Sequence, residues 1–328
     1  MAETEHGQPE ETQPLPPAAA GGASSPVQMV GLVALTFIHP GVGQVLGAID
    51  LPVSREGHTD YPYVAGTSFK GALRDVAHRH WGADLSDPDG KKPSNKERSV
   101  FGSTDESAGS LIVSDIRLLL LPVRSLEGAF RYLTCPHLIA RFATDLRRAG
   151  GQPAFTGAQF DDGKSTVLEH NQAAVIDGTG NLFLEEFVFA RDVRFETAVN
   201  EVAKAVGPLL PQDRAGTLDV ASRLTVVTDK AFAWYTRSAL PVRMRNALDP
   251  ETKTVKNGQL WSEEYIAPDT VMYALLARRD AAADPEPLDA MHKLLEADGN
   301  FVQVGGNETV GHGWFQIAWP PKQAAGTN

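Results

Sequence analysis

Two strand–helix–strand patterns, one near each end of the chain, constrain its fold more than any other feature. Each pattern joins short apolar or β-branched runs to an amphipathic segment with one apolar face. The predicted elements are strand 30–37, helix 68–80, strand 110–121, strand 270–278, helix 286–297 and strand 313–319. Their order is β-α-β-β-α-β, which is the order of ferredoxin-like and RNA-recognition domains. The sequence therefore predicts an α+β fold whose ferredoxin-like core is built from both ends of the chain.

The core and the rest of the chain divide at predicted boundaries. Residues 29–121 and 270–320 supply the core, which we term the palm, and residues 122–269 form a large insertion of helices and strands. Residues 1–28 are rich in Pro, Ala, Gly and Glu, and they have too few large apolar side chains to offset the entropy of ordering. We expect them to form a disordered acidic tail, and residues 321–328 to form a second, short tail.

The end of the insertion is predicted to be a long β-hairpin over about residues 240–266. Two extended arms, 240–247 and 259–266, flank the turn-forming sequence DPETKTVKNG, and the tip is polar and partly basic. A hairpin of this length is expected to project from its domain. Elsewhere the sequence predicts a mobile polar loop over 82–99 and a single strand over 182–190.

Charge and cysteine content limit the classes of function. The net charge of -11 argues against nucleic-acid binding by bulk electrostatics, although residues 221–256 carry seven Lys and Arg against three acids. The single cysteine, Cys135, excludes an intrachain disulfide and agrees with a reducing compartment. Neither a signal peptide nor a membrane-spanning run is recognisable, so we expect a cytoplasmic protein with no membrane partner.

The glycine-rich stretch from His39 to Arg74 joins the first strand to the first helix and includes Asp50. Irregular segments of this length are uncommon in compact domains unless they are functional or disordered. On composition alone, Asp50 is typical of a turn ahead of Pro52. His39, taken alone, is equally compatible with packing at the end of a strand or with acid–base chemistry near neutral pH.

Several residues are candidates for contact with a phosphate backbone. Lys70 and Arg74 lie one turn apart at the start of the first helix, where Gly66, Ser68 and the helix dipole also favour an anion. A solvated helix face is the alternative interpretation of these four residues.

The hairpin and the C-terminal glycine loop supply further candidates. Arg243 and Arg245 alternate on the outgoing arm of the hairpin and are well placed for phosphate contact. Gly305 and Gly306 either let another backbone approach closely or form a turn that the fold requires.

Four stretches of the chain, in this order, resemble the RAMP superfamily of CRISPR proteins, and most closely the repeated backbone subunit of type III-B effectors. They are HPGVGQVLGAIDLPVSREGHTDYPYVAGTSFKGALR, AGSLIVSDIRLLLLPVRSLEGAFRYLTCPHLIARF, LWSEEYIAP and GGNETVGHGW. The first two are highly specific, whereas the last is shared broadly by RAMP proteins. The resemblance implies a RAMP palm with the hairpin as a thumb.

The same resemblance implies a function. Copies of such a subunit stack along a crRNA guide, together with other subunits of the Cmr effector complex, in antiviral defence. Complementary target RNA is then cut at regular six-nucleotide intervals by a metal-dependent endoribonuclease activity. By its place in the motif, Asp50 is the implied key catalytic residue and ligand of a divalent metal, with Mg²⁺ expected. His39, Glu263 and Tyr265 are implied as further active-site groups.

The sequence leaves the chemistry open. Asp50 could bind Mg²⁺ or accept the proton of the 2′-hydroxyl. Glu263 and Tyr265 alternate with Glu264 and so share one face of a strand, which suits either one active site or ordinary cross-strand pairing. The alternative functions are a non-catalytic scaffold subunit that binds crRNA and a guide-processing RAMP endoribonuclease that works through histidine without metal.

Overall fold

The two predicted strand–helix–strand units meet in one antiparallel arrangement at the centre of a ten-stranded sheet. A computed structural model describes residues 26–82, 92–103, 108–126, 128–160, 167–169, 181–190, 195–279 and 286–321. The strands are β1 Val27–Ala34, β2 Tyr63–Val64, β3 Leu111–Val113, β4 Ile116–Arg124, β5 Phe130–Thr134, β6 Val167–Glu169, β7 Asn181–Leu184, β8 Phe187–Ala190, β9 Leu224–Val227, β10 Val242–Leu248, β11 Val255–Glu264, β12 Val271–Arg278, β13 Phe301–Gln303 and β14 Trp314–Ala318. The helices are α1 Gly66–Trp81, α2 Asn95–Phe101, α3 Pro136–Arg148, α4 Glu196–Val206, α5 Gln212–Leu218, α6 Val220–Arg223, α7 Asp229–Ser238 and α8 Pro287–Ala297.

The strand order confirms the predicted α+β class. Within the order β13-β14-β1-β12-β4-β5-β9-β6, the segment β14-β1-β12-β4 places the fourth core strand beside the first, then the third, then the second. All three of these pairings are antiparallel. The insertion continues the same sheet, because β5 pairs with β4 and β9 pairs with β5. The sheet is thus continuous across residue 122, and the division into palm and insertion stays a prediction.

Strand β1 is buried on both faces because helices cover both sides of the sheet. Leu32 faces a core shared with α1 and α8, whereas Val33 faces a second core shared with α3 and α4. This explains why the segment is continuously apolar and does not alternate. Gly31 is needed here, since a Cβ atom would lie 2.0 Å from the carbonyl oxygen of Leu209.

Several predicted elements were wrong in detail. The strand predicted over 110–121 is interrupted at Ser114 and Asp115, so that β3 pairs with β12 before β4 begins. The single strand predicted over 182–190 is a tight hairpin of β7 and β8, with Glu185 at a positive φ in the turn. Strand β13, beside β14, was not predicted.

The predicted loop over 82–99 contains helix α2 in its described part. The hydroxyl of Ser94 accepts a hydrogen bond from the backbone N–H of Glu97, which is the first half of a Ser-x-x-Glu capping pattern. The Glu97 side chain is buried and accepts hydrogen bonds from Arg74 at 2.7 Å and His78 at 2.9 Å. The polar composition of the segment hid this helix, which is held by charged contacts to α1.

Most of both predicted tails and part of the predicted loop lie outside the residues that the structure describes. Residues 1–25 of the predicted N-terminal tail, 322–328 of the C-terminal tail and 83–91 of the predicted loop lie outside the described residues. Among the described residues, no helix combines the length and apolar character needed to cross a membrane.

A buried ion pair links three elements of the palm and insertion. The carboxylate of Asp145 on α3 accepts hydrogen bonds from Arg117 of β4 at 2.6 Å and from the hydroxyl of Tyr273 of β12 at 2.9 Å. Arg148 adds a contact at 3.0 Å. Asp145 is only 2% exposed, so these partners offset the cost of burying its carboxylate.

We expect Asp145→Ala to lower the free energy of unfolding by about 3 kcal/mol, because Arg117 and the Tyr273 hydroxyl would lose their buried partner. Urea unfolding followed by circular dichroism measures this change. The control is Glu201→Ala, which breaks the exposed Glu201–Lys204 pair on α4 and should cost less than about 0.5 kcal/mol. Equal effects of the two substitutions would contradict the assignment of Asp145 as a buried structural anchor.

Candidate functional site

The candidate site forms where the long loop after β1 lies against the return arm of the hairpin, residues 261–265. The backbone N–H of Leu51 donates to the carbonyl of Ser262 at 3.0 Å, and the N–H of Glu264 donates to the carbonyl of Leu51 at 3.0 Å. The loop therefore adds a short extended segment to the edge of β11. This pairing fixes the neighbouring residue, Asp50.

Asp50 is held by a single residue of the return arm. One carboxylate oxygen, Oδ2, accepts hydrogen bonds from the backbone N–H and from the hydroxyl of Ser262, both at 2.8 Å. The backbone N–H of Asp50 donates in turn to the hydroxyl oxygen of Ser262 at 3.0 Å. The hydrogen bonds from the Ser262 N–H and hydroxyl lower the pKa of Asp50. The carboxylate is thus ionised at neutral pH and is partly exposed.

Glu264, which sequence analysis did not select, anchors the rest of the loop. Its Oε1 forms a 2.6 Å ion pair with Arg55, and its Oε2 accepts from the backbone N–H of Val53 at 3.1 Å. Ser262 and Glu264 alternate along β11, so both side chains hold the loop on the same face of the hairpin. A pattern of alternating polar residues was visible in the sequence, but its partners, 211 and 212 residues away, were not.

His39 lies at the other end of the loop and is oriented by the backbone. Its Nδ1 donates a hydrogen bond to the carbonyl oxygen of Glu264 at 2.8 Å, since a carbonyl can only accept. The second ring nitrogen, Nε2, is therefore the atom left for chemistry. His39 is 7% exposed, and a Cβ at position 41 would lie 2.7 Å from Nε2, so glycine avoids a close contact with this atom.

Glu263 and Tyr265 share the opposite face of the return arm, as the alternation predicted. The Tyr265 hydroxyl donates to Glu263, whose carboxylate also accepts from Trp261 at 2.7 Å and from Asn307 at 2.9 Å. Burial opposes ionisation of Glu263, but the hydrogen bonds from Trp261 and Tyr265, together with Arg245, lower its pKa overall. Burial and the bond to Glu263 raise the pKa of Tyr265, so the phenol keeps its proton.

The two hairpin arginines differ in their surroundings. Arg245 lies 3.5 Å from Glu263 and donates to the Tyr265 hydroxyl at 3.3 Å, so its charge is partly neutralised. Arg243 is exposed and stacks on Phe37, with its guanidinium carbon 3.8 Å from the ring centroid. Arg243 therefore keeps its charge available to solvent at the base of the hairpin.

His312 packs edge-on against Phe37 and Tyr265, with ring centroids 6.0 and 5.1 Å apart. Burial, and then the nearby cations Arg245 and Arg243, lower the pKa of His312. The imidazole is therefore neutral at pH 7 and forms part of the aromatic wall beside Tyr265.

The start of α1 differs from its prediction. The helix begins at Gly66, and neither Thr67 nor Ser68 caps it. The N–H of Gly66 donates to the Asp115 carboxylate at 2.7 Å, so this donor is not free for phosphate. A Cβ at Gly66 would lie 2.9 Å from the backbone of Ser114, which shows that the fold itself requires glycine here.

Lys70 and Arg74 form a cationic cluster with a third residue, Arg279. Partial burial, together with Arg74 and Arg279, lowers the pKa of Lys70. Its Nζ lies 3.5 Å from the carbonyl oxygen of Leu111, while Arg74 pairs with the buried Glu97. Arg279 was not identified from the sequence, because it follows β12 and is distant along the chain.

Ser68 and the C-terminal glycine loop line one groove. Its walls come from Pro40 and Gly41 on one side, from the first turns of α1 on another, and from Gly305 and Gly306 on a third. Gly305 has a φ of +97°, and a Cβ there would lie 2.9 Å from the carbonyl oxygen of His39. The glycine loop thus packs against the start of the long loop after β1, and Gly306 donates its N–H to the same oxygen at 3.0 Å.

The structure thus brings together two groups of predicted residues. His39, Asp50, Glu263 and Tyr265 all contact the return arm or belong to it, with Asp50 and Glu263 directed to opposite faces. Ser68, Gly305 and Gly306 meet in the groove, with Lys70 and Arg74 further along α1. Within the described ranges, no group of three or more His, Cys, Asp or Glu side chains could hold a metal ion.

Comparison with known proteins gives one consistent result. The profile of the RAMP superfamily matches residues 31–316. The chain is 32% identical over 293 residues to the CRISPR system Cmr endoribonuclease Cmr4 of Pyrococcus furiosus, covering 88% of this chain and 94% of that protein. The crystal structure of oligomeric Cmr4 from Pyrococcus furiosus superimposes with a TM-score of 0.66 at 26% identity, over 89% of this chain and 96% of the other.

A second structure supports the fold alone. A chain of the type III-B Cmr-beta complex bound to cognate target RNA superimposes with a TM-score of 0.66 at 20% identity, covering 89% of this chain and 96% of that chain. The match of the profile over most of the sequence, and the identity to a full-length relative, are together decisive. The chain belongs to the RAMP superfamily and, within it, to the Cmr4 family.

Proposed function

We propose that this chain is a repeated backbone subunit of a type III-B CRISPR effector, which binds crRNA and cleaves complementary target RNA. The relative from Pyrococcus furiosus is named an endoribonuclease, and a related chain occurs in a complex with target RNA. The observation that carries the proposal is the partly exposed Asp50 carboxylate, which the return arm holds in one orientation. Copies of this chain and other Cmr subunits are the proposed protein partners.

Asp50 is the proposed catalytic residue. RNA supplies its own nucleophile, so cleavage forms a bond from the 2′-oxygen to phosphorus and breaks the bond from phosphorus to the 5′-oxygen. The 2′-hydroxyl must lose a proton and the leaving 5′-oxygen must gain one. Asp50 can accept the first proton, because its carboxylate is ionised, or it can hold a divalent cation beside the phosphate.

The residues at Asp50 fit a divalent metal held partly by the substrate. Ser262 occupies Oδ2, and within the described part of the chain Oδ1 accepts no hydrogen bond from another residue. Mg²⁺ commonly binds one or two carboxylates and completes its shell with water and substrate phosphates. Bound there, Mg²⁺ would supply neutralisation of the charge that develops on the phosphate oxygens.

His39 is the proposed general acid. Its Nδ1 proton is committed to the Glu264 carbonyl, so a protonated Nε2 would donate to the leaving 5′-oxygen. Gly41 avoids the close contact that a Cβ at its position would make with that nitrogen. Glu263 and Tyr265 are proposed to hold the His39 ring in position, because the Tyr265 ring centroid lies 5.6 Å from that of His39.

Guide binding is proposed along the groove and the cationic cluster. Ser68, Lys70 and Arg74 would contact phosphates, and Gly305 and Gly306 line the groove, whereas Gly66 packs against Ser114. Arg243 and Arg245 would contact RNA at the hairpin base, Arg243 through its exposed charge. Partial burial, and then the nearby cations Arg74 and Arg279, lower the pKa of Lys70, and a bound phosphate would stabilise its charge.

Asp50→Ala is expected to reduce target cleavage by at least about 100-fold in the reconstituted complex, with target binding unchanged, because the carboxylate acts only at the reacting phosphate. Single-turnover cleavage of labelled target RNA measures the rate. The control is Asp298→Asn, which alters an aspartate paired with His80 at the end of α8 and should leave the rate unchanged. Wild-type cleavage by Asp50→Ala would favour a scaffold subunit that binds crRNA without cutting.

Removal of divalent metal by EDTA is expected to abolish cleavage by the assembled complex, and added Mg²⁺ should restore it. The measurement is the same single-turnover assay, with circular dichroism to verify that EDTA leaves the fold intact. Cleavage of precursor guide RNA by the isolated chain in EDTA would instead support the guide-processing, histidine-based alternative.

Lys70→Ala is expected to weaken crRNA binding several-fold and to reduce the salt dependence of the binding constant by about one phosphate contact. Filter binding at several salt concentrations measures both quantities. Lys204→Ala, on the exposed face of α4, is the matched control. An unchanged salt slope for Lys70→Ala would place this residue outside the RNA contact surface.

A further inference from the structure

We infer that Ser262 is a positioning residue for RNA cleavage, and that its hydroxyl orients the Asp50 carboxylate toward the scissile phosphate. The inference rests on the proposed function of Asp50 and adds a residue that lies 212 positions away in the sequence. Ser262 touches Asp50 and, in this assignment, never touches the RNA. It acts only through the orientation of its partner.

The hydroxyl of Ser262 forms a closed pair of hydrogen bonds with one residue. It donates to Oδ2 of Asp50 at 2.8 Å and accepts from the backbone N–H of Asp50 at 3.0 Å. The backbone and the side chain of Asp50 are thus tied to the same oxygen atom. Together with the bond from the Ser262 backbone N–H, these contacts restrict rotation of the carboxylate, and Ser262 bonds only to Oδ2.

The hydroxyl is not needed to hold the loop in place. Leu51 forms two backbone hydrogen bonds with the return arm, to Ser262 and from Glu264. Val53 and Arg55 add contacts to the Glu264 carboxylate at 3.1 and 2.6 Å. These contacts remain when the hydroxyl is removed, so the effect of its loss falls on the orientation of Asp50.

The Ser262 side chain is also buried and has little contact with bulk water. Ser262 is 7% exposed, and in the register of the hairpin it faces Met244 of β10. Because of this burial, bulk water cannot freely replace the Ser262 hydroxyl as a hydrogen-bond donor to Oδ2 of Asp50. Without the hydroxyl, Oδ2 keeps one of its two hydrogen bonds from Ser262, that from the backbone N–H, and the carboxylate gains freedom to rotate about this single contact.

The test compares Ser262→Ala, Ser262→Thr and a matched control in the reconstituted complex. Ser262→Ala should slow single-turnover cleavage about tenfold, with an unchanged dissociation constant for target RNA, because a hydrogen bond to a charged group is lost. Ser262→Thr keeps the hydroxyl and should restore the rate to within about threefold. The control is Ser125→Ala, since Ser125 is equally buried, at 6% exposure, and its hydroxyl donates to the carbonyl of Phe183 at 2.7 Å.

Amide hydrogen exchange in the full chain provides a readout that does not depend on activity. The N–H of Asp50 donates to the Ser262 hydroxyl, whereas the N–H of Leu51 donates to the Ser262 carbonyl. Ser262→Ala should therefore speed exchange at Asp50 and leave Leu51 protected, and Ser262→Thr should restore protection at Asp50.

Each outcome separates this inference from the proposed function. If Asp50→Ala is inactive and Ser262→Ala cleaves at the wild-type rate, the positioning role is overturned and the catalytic role of Asp50 stands. If Ser262→Ala weakens target binding, or also speeds amide exchange at Leu51, then Ser262 supports the fold and the inference is again overturned. In an Asp50→Ala background, Ser262→Ala should cause no further loss, because the hydroxyl acts only through Asp50.

Discussion

The pairing between the loop after β1 and the return arm of the hairpin is the interaction on which the rest of the site depends. The backbone bonds of Leu51 dock the loop on the strand edge, and side chains of Ser262 and Glu264 fix Asp50 and Arg55 on either side. Since each bond alone is worth only about 1 kcal/mol, the loop is held by their cooperation. A glycine-rich segment thereby acquires one defined conformation.

The architecture could be predicted because each outer element carries its own pattern. The apolar run of β1 and the amphipathic faces of α1 and α8 are local signals, and their order alone indicated the ferredoxin-like core. The missed elements are those that depend on distant partners. Helix α2 is held because its buried Glu97 carboxylate accepts a hydrogen bond from Arg74 of α1. Strand β4 continues through Pro122 because it pairs there with β5.

The candidate site was predicted less completely for the same reason. His39 and Asp50 lie in a recognisable stretch, and the shared face of Glu263 and Tyr265 follows from the period of a strand. Ser262 and Glu264 show a local polar pattern without their distant partners, and Asn307 and Arg279 carry no local signal, because the importance of all four arises only in the folded chain. At Gly66 and Gly305 another backbone does approach closely, but the approaching group is not RNA. It is Ser114 at Gly66 and His39 at Gly305, both from the chain itself.

The two faces of the return arm carry different chemistry, and this separation has a physical cause. Side chains of adjacent residues on a strand point to opposite faces, so Ser262 and Glu264 are committed to the loop while Glu263 and Tyr265 are committed to the buried network with Arg245. His39 links the two faces of the return arm, because its Nδ1 donates to the backbone carbonyl of Glu264 and its ring contacts Tyr265. A one-residue shift of the return arm would exchange the faces and release both groups, so the register of the hairpin is itself a requirement of the proposed site.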